Sequence, residues 1–218
     1  VNSKKLTVSL LLGAVLIAFL LGMSAYQKRA QESQQQTATE QANRLVRMHS
    51  PVLGPLNAPV TIVEFFDPAC ETCRAFYPIV KDLMAKYPND VRVVVRYAPF
   101  HQGSDQVIAL LEASRRQGKY EAVLQAVLAA QPMWADHAQP NVELAFRAAQ
   151  EAGVDLQKAR ADAELPAVRS VLEQDVEDLN ALGVNKTPTF FVNGRALPSF
   201  GAEQLAALVA EEVASARK

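Results

Sequence analysis

The chain has 218 residues, a formal net charge of −1 and no basic cluster, a balance that argues against a nucleic-acid partner. Structural zinc or an iron–sulfur cluster normally takes four protein ligands, whereas the two cysteines here form a single C-x-x-C.

In chain order, residues 1–5 form a short N-terminal segment, followed by an almost unbroken apolar run, Leu6 to Tyr26, between Lys4-Lys5 and Lys28-Arg29. That run is long enough to span a bilayer as one helix. An uncleaved transmembrane anchor is favoured over a removed signal segment, whose apolar core is usually shorter. Residues 27–50 carry Gln, Glu, Ser and Thr with few large apolar groups, a composition that reads as a solvated tether, with a helical extension as the alternative. Residues 51–216 are enough for one domain with a proper core.

Within that domain, Val60–Phe66 is rich in β-branched and aromatic residues and reads as a buried strand. Asp67-Pro68-Ala69 breaks it, and a helix begins near Cys70, with Phe76, Val80, Leu83 and Met84 at helical spacing. Val91–Tyr97 is a second strand, so the β–α–β order predicts a parallel pair. From Ser104 to about Leu182 the pattern is helical: starts are expected at Ser104 or Asp105, near Lys119, and at Asn141, Asp155 and Pro166. The second of these helices is expected to end near Ala130. Strand character returns at Thr189–Val192; Asn193-Gly194 is a hairpin signal, Arg195–Pro198 supplies the return strand, and a last helix covers about Ala202–Ala214. The fold class is thus α/β, with an all-helical block at about 104–182 inserted between two β halves.

Cys70-Glu71-Thr72-Cys73 places two sulfurs on one face at the start of a helix. As a structural staple, so short a loop is worth only about 2 kcal/mol against nearly 5 for a long one. Redox exchange fits better. Unpaired N–H groups and the positive end of the helix dipole stabilise a thiolate at the first cysteine. Cys70 is therefore the expected nucleophile and Cys73 the resolving thiol. Glu64 lies in the first strand with Ile62, Val63, Phe65 and Phe66 around it. A carboxylate buried there has a raised pKa and can relay the proton of Cys73.

Four pieces of sequence, VTIVEFFDPACETC, YAPFHQGS, the helical block and GVNKTPTFFVNG, resemble the DsbA-like branch of the thioredoxin superfamily. The resemblance implies a thioredoxin fold with a helical insertion and disulfide exchange with secreted or membrane client proteins. It implies no cofactor beyond the cysteine pair, which a membrane redox partner resets. It also implies a cis Thr187–Pro188 bond beside the cysteines, with Thr187 and Pro188 lining a client groove, and it matches Glu64 to the family's buried acid. The catalytic domain is then expected in the bacterial periplasm, anchored to the inner membrane, or soluble there if the N-terminal segment is cleaved.

Departures bear on redox strength. DsbA has Cys-Pro-His-Cys, whereas Glu71 and Thr72 stand between the cysteines here. The histidine is lost and a negative charge is added beside Cys70, which implies a weaker oxidant. The Phe-Asp-Pro approach and the threonine before Pro188 also resemble the DsbC and DsbG isomerases, whose N-terminal dimerisation domain has no counterpart in a tether. The competing class is a copper-binding or metallochaperone protein using Cys70 and Cys73 as soft ligands, with His101 as a third. Otherwise His101, His49 and His137 read as solvated or hydrogen-bonded side chains. Met133 and Trp134 suit either an apolar client surface or packing.

Overall fold

The alternation of side chains along Val60–Phe66 decides the architecture. Ile62 and Phe66 enter one apolar layer while Val63 and Phe65 enter another, so this strand lies between two cores. The computed structural model describes residues 23, 24, 26–29, 31, 32, 35, 36 and 39–218. Its elements are β1 (Val52–Leu53), β2 (Val60–Phe66), α1 (Glu71–Lys86), β3 (Val91–Tyr97), α2 (Ser104–Arg116), α3 (Tyr120–Trp134), α4 (Val142–Glu151), α5 (Leu156–Ala163), α6 (Pro166–Ala181), β4 (Thr189–Val192), β5 (Arg195–Ala196) and α7 (Ala202–Ala216). The sheet order is β1-β3-β2-β4-β5, with β2 and β3 parallel and the other pairs antiparallel. This is a mixed α/β, thioredoxin-like sheet with a helical insertion, α2 to α6, between β3 and β4.

Helices cover both faces. On one, Phe76, Val80 and Leu83 of α1 and Leu205, Val209 and Val213 of α7 pack with Ile62, Val93 and Val95, and this layer continues into the insertion through Leu110, Val127 and Trp134. On the other, Val63, Phe65 and Val94 meet Leu179 of α6, Val184 and Leu45. The helix starts fall where the sequence places them, but the caps differ. Gly103, at φ 81°, is the cap of α2, and Ser104 turns its hydroxyl to Asp67. Only Asp155, among the proposed caps, accepts from its helix, at Lys158 N–H (3.0 Å). Helix α3 runs past Ala130 and through Pro132 because Trp134 is fully buried and donates Nε1–H to the Val127 carbonyl at 2.9 Å. Trp134 is thus packing, whereas Met133 is exposed. The short β1 carries too few residues to be legible as a strand.

Two compact units are distinguished, Val1–Asn43 and Arg44–Lys218. In the first, every described residue is helical and exposed, in line with the alternative of a helical extension for that part of 27–50, whereas Val46–Ser50 are not helical. Gln, Glu, Ala and Lys are good helix formers, and Lys28 lies 4.0 Å from Glu32 one turn on. The anchor proposed at 6–26 lies almost wholly outside the described residues, and among the described residues no helix is long and apolar enough to cross a membrane.

Arg44 to His49, expected from the sequence to belong to the tether, are bound to the rest of the second unit by charge. Arg96 of β3 is fully buried on the α6 face. Its guanidinium lies 2.7 Å from both Asp175 and Asp178 of α6, which are also fully buried. Arg47 donates twice to Asp178 at 2.7 Å, Arg44 donates to it at 3.0 Å, and His49 Nε2 lies 2.7 Å from Asp175. Asp175 also accepts the Tyr97 N–H at 2.7 Å. Burial opposes the Asp178 charge, but bonds from Arg47 and Arg96 outweigh it and hold the carboxyl down at about 2.

Removing one member of this buried set leaves charges uncompensated. Arg96→Met should lower unfolding free energy in urea by about 3–5 kcal/mol, whereas removal of the exposed Arg195 beside Glu211 and Glu212 should leave it nearly unchanged. Because the Asp178 pKa is depressed, its stabilisation is complete above the ordinary carboxylate range. It should fade as pH falls toward 2, a decline that Asp178→Asn removes.

Candidate active site

The break at Asp67-Pro68-Ala69 ends β2 and turns the chain into α1 within one short loop. Cys70 is the N-cap, in extended conformation (φ −76°, ψ 120°), and no side chain caps the helix. Unpaired first-turn N–H groups, those of Thr72 and Cys73, favour the charged form of its sulfur. Cys70 is 6% exposed and Cys73 is fully buried one turn deeper; both are free thiols, so this is the dithiol form. Thr187–Pro188 is cis and precedes β4, which pairs with β2. This pairing brings the loop to the cysteines, and the Cys70 thiol donates to the Thr187 carbonyl at 3.3 Å.

The two sulfurs are driven apart electrostatically. The Cys73 thiol, donating to Cys70, is the main cause of a Cys70 pKa near 5. Burial opposes it, and the Thr187 side chain and the N–H groups of Cys73 and Thr72 add to it. Cys73 is pushed far upward, first by burial and then by the hydrogen bond its thiol donates to Cys70, with Glu64 a further negative neighbour. The Asp67 N–H points at Cys73 Sγ at 3.5 Å.

Glu64 shares the face of Ile62 and Phe66, by alternation along β2, which puts it beneath the cysteines. It is 6% exposed. Burial, with a smaller contribution from Cys70, raises its pKa to about 8. The structure thus brings together Cys70, Cys73, Glu64, Thr187 and Pro188. Thr72 contributes its backbone N–H, and its side chain is exposed.

Other groups complete the setting. Asp67, fully buried, accepts from Ala69 N–H (2.9 Å), Phe100 N–H (2.8 Å), His101 N–H (3.0 Å) and the Ser104 hydroxyl, and its Oδ2 lies 2.7 Å from His101 Nδ1. It ties the loop before α1 to the loop after β3. From the insertion, Gln131 donates to the carbonyls of Pro68 (2.8 Å) and Cys70 (3.0 Å). Glu71 is not an isolated charge: its Oε1 lies 2.8 Å from His137 Nε2. The His137 ring stands edge-on to His101, with centroids 5.5 Å apart. A pocket of about 170 Å³ beside Ala69 is lined by both histidines, Phe100, Gln102, Ala135 and Asp136. Asp67 was visible in the sequence only as a strand breaker, and nothing local signals Gln131. Among the described residues, no three His, Cys, Asp or Glu side chains are grouped to hold a metal ion.

A family model described as thioredoxin matches residues 47–211. A thioredoxin-like oxidoreductase from Silicibacter pomeroyi DSS-3 is 33% identical, with 80% of this chain and 96% of that chain covered and a TM-score of 0.68. The alpha-DsbA1 of Wolbachia pipientis, at 15% identity, shares the fold over 81% of this chain and 97% of its own, with a TM-score of 0.69. The Na(+)/H(+) antiporter NhaA of Herminiimonas arsenicoxydans is 36% identical over 146 residues, 67% of this chain. The chain spans only 22% of that protein's length.

Two outcomes test the electrostatics. Alkylation of the reduced protein should label Cys70 with a midpoint near pH 5 and leave Cys73 unlabelled until the protein is unfolded, as read by mass spectrometry. Because the Glu64 pKa is raised, its contribution to stability is intact below the ordinary carboxylate range and is lost as pH rises through about 8. Glu64→Gln should therefore match wild type in acid and become more stable by roughly 2–4 kcal/mol at alkaline pH in urea titrations.

Proposed function

The chain belongs to the thioredoxin family, and we propose that it is a protein disulfide oxidoreductase of the DsbA-like kind acting through Cys70 and Cys73. The observation that carries this reading is the opposed tuning of the two sulfurs: one held as thiolate at the head of α1, the other kept protonated beneath it. Both lie beside a cis-proline loop whose Thr187 carbonyl touches Cys70.

In the reducing direction, the Cys70 thiolate attacks one sulfur of a client disulfide. A bond forms between Cys70 and the client, and the second client sulfur leaves as thiolate. Cys73 then loses its proton to the carboxylate of Glu64 and attacks Cys70 Sγ. The client sulfur bound to Cys70 is expelled as thiolate, the client is left as a dithiol, and Cys70–Cys73 becomes a disulfide. Run backwards, the same steps oxidise a client dithiol. Glu64 is suited to the relay because its pKa near 8 lets it both accept and return a proton near neutral pH. Thr187 and Pro188 border the groove in which a client backbone lies, and exposed Met133, Phe100 and Phe200 offer it apolar contacts.

A Cys70 pKa near 5 falls between the values of roughly 7 for thioredoxin and 3.5 for DsbA. It supports a couple less oxidising than DsbA, on different grounds from the sequence argument, since Glu71 is partnered by His137. The clients are secreted or membrane proteins outside the cytoplasm, and a membrane redox partner resets the pair. The apolar run at 6–26 supports an inner-membrane anchor, and the redox-tuned cysteine pair supports placing the domain on the periplasmic side. The antiporter name of the relative above belongs to that whole protein.

Cys73→Ala should accumulate mixed disulfides with clients, resolved on non-reducing gels and lost when Cys70→Ser is added. Equilibration with glutathione should give a potential more reducing than about −120 mV, the value for DsbA. A chain that traps nothing and leaves insulin disulfides intact would overturn the assignment.

A further inference from the structure

An acid at the first turn of α1 suits the helix dipole but opposes a thiolate on the preceding residue. Glu71 is that acid, and its carboxylate is met by a histidine from outside the motif. His137 sits in the loop between α3 and α4. Asp136 Oδ1 accepts the N–H groups of Ala138 (2.9 Å) and Gln139 (2.8 Å), and Asn141 N–H returns to the Trp134 carbonyl at 2.7 Å. This tight turn presents the ring so that Nε2 lies 2.8 Å from Glu71 Oε1. His101, fixed 2.7 Å from Asp67, stands edge-on behind it. The charged and titratable groups around the pair are Asp67 from the loop before α1, Cys70 and Glu71 at its head, His101 after β3 and Asp136 in the loop itself.

We propose that His137 is a positioning residue for the redox chemistry: supplied by the helical insertion and braced by His101, it holds the Glu71 carboxylate and offsets its charge, so that Glu71 does not oppose the Cys70 thiolate. The inference rests on the redox reading of Cys70. Stability is not the function of this contact, because its side chains are 66% and 54% exposed and such surface pairs add little to folding. The nearby sulfur is what it acts on. The insertion thereby restores, from a distant part of the chain, an imidazole beside a motif that has none between its cysteines.

The test is a thiolate titration of Cys70, by alkylation rate against pH at low salt, in the full chain and three variants. His137→Ala should move the midpoint upward, with the thiolate population at the wild-type midpoint falling about threefold. Glu71→Gln should move it downward or leave it in place. With Glu71→Gln already present, His137→Ala should have no further effect, and the wild-type to His137→Ala difference should shrink in about 1 M salt. Equal thermal melts would show that all variants fold. An unchanged midpoint in His137→Ala, or a shift that persists in the double variant, would overturn the proposal while leaving the redox reading intact. A wild-type Cys70 as sluggish as free cysteine would remove the redox reading itself, and this inference with it.

Discussion

The first-turn N–H groups of α1 have no helical partner, and the structure spends them on a sulfur. Because Cys70 occupies the cap position itself, its side chain stands where a capping oxygen would normally accept. A helix begun one residue earlier would bury both thiols in a regular turn, and one begun later would leave the first sulfur without its donors. The neighbouring features hold this start in place. Asp67 gathers the loops on either side, Gln131 holds the carbonyls of Pro68 and Cys70, and β4 delivers Thr187.

The sheet supplies the second half of the chemistry. Strand alternation puts Glu64 on the same face as the cysteines, in a layer otherwise built from Val, Ile, Phe and Leu. An acid placed one residue earlier or later would face α6, where Arg96 already engages two aspartates. The two faces thus treat charge differently. One holds a carboxyl that stays neutral over much of the pH range, and the other a set of charges that neutralise one another.

Much of this could be read from the sequence, because the strong signals are local. The runs of β-branched residues, the Asp-Pro break and the Asn-Gly turn each act within a few residues, and the corresponding elements lie close to where they were expected. Glu64 could be picked out because an acid inside VTIVEFF conflicts with its neighbours. What stayed hidden depends on pairs far apart in the chain. Arg96 looked like one more residue of a strand, since Asp175 and Asp178 lie on a helix five elements later. His137 and His101 read as solvated or hydrogen-bonded, and their partners Glu71 and Asp67 stayed hidden for the same reason. Glu71 was read as an uncompensated charge because its partner is in the insertion.

The clasp of Arg44, Arg47 and His49 on Asp175 and Asp178 fixes where the polypeptide enters the catalytic unit: at the back of the sheet, against α6, on the face away from α1. A pull applied to the chain at Arg44 would therefore load these ion pairs and the sheet's rear layer before the sulfur-bearing helix.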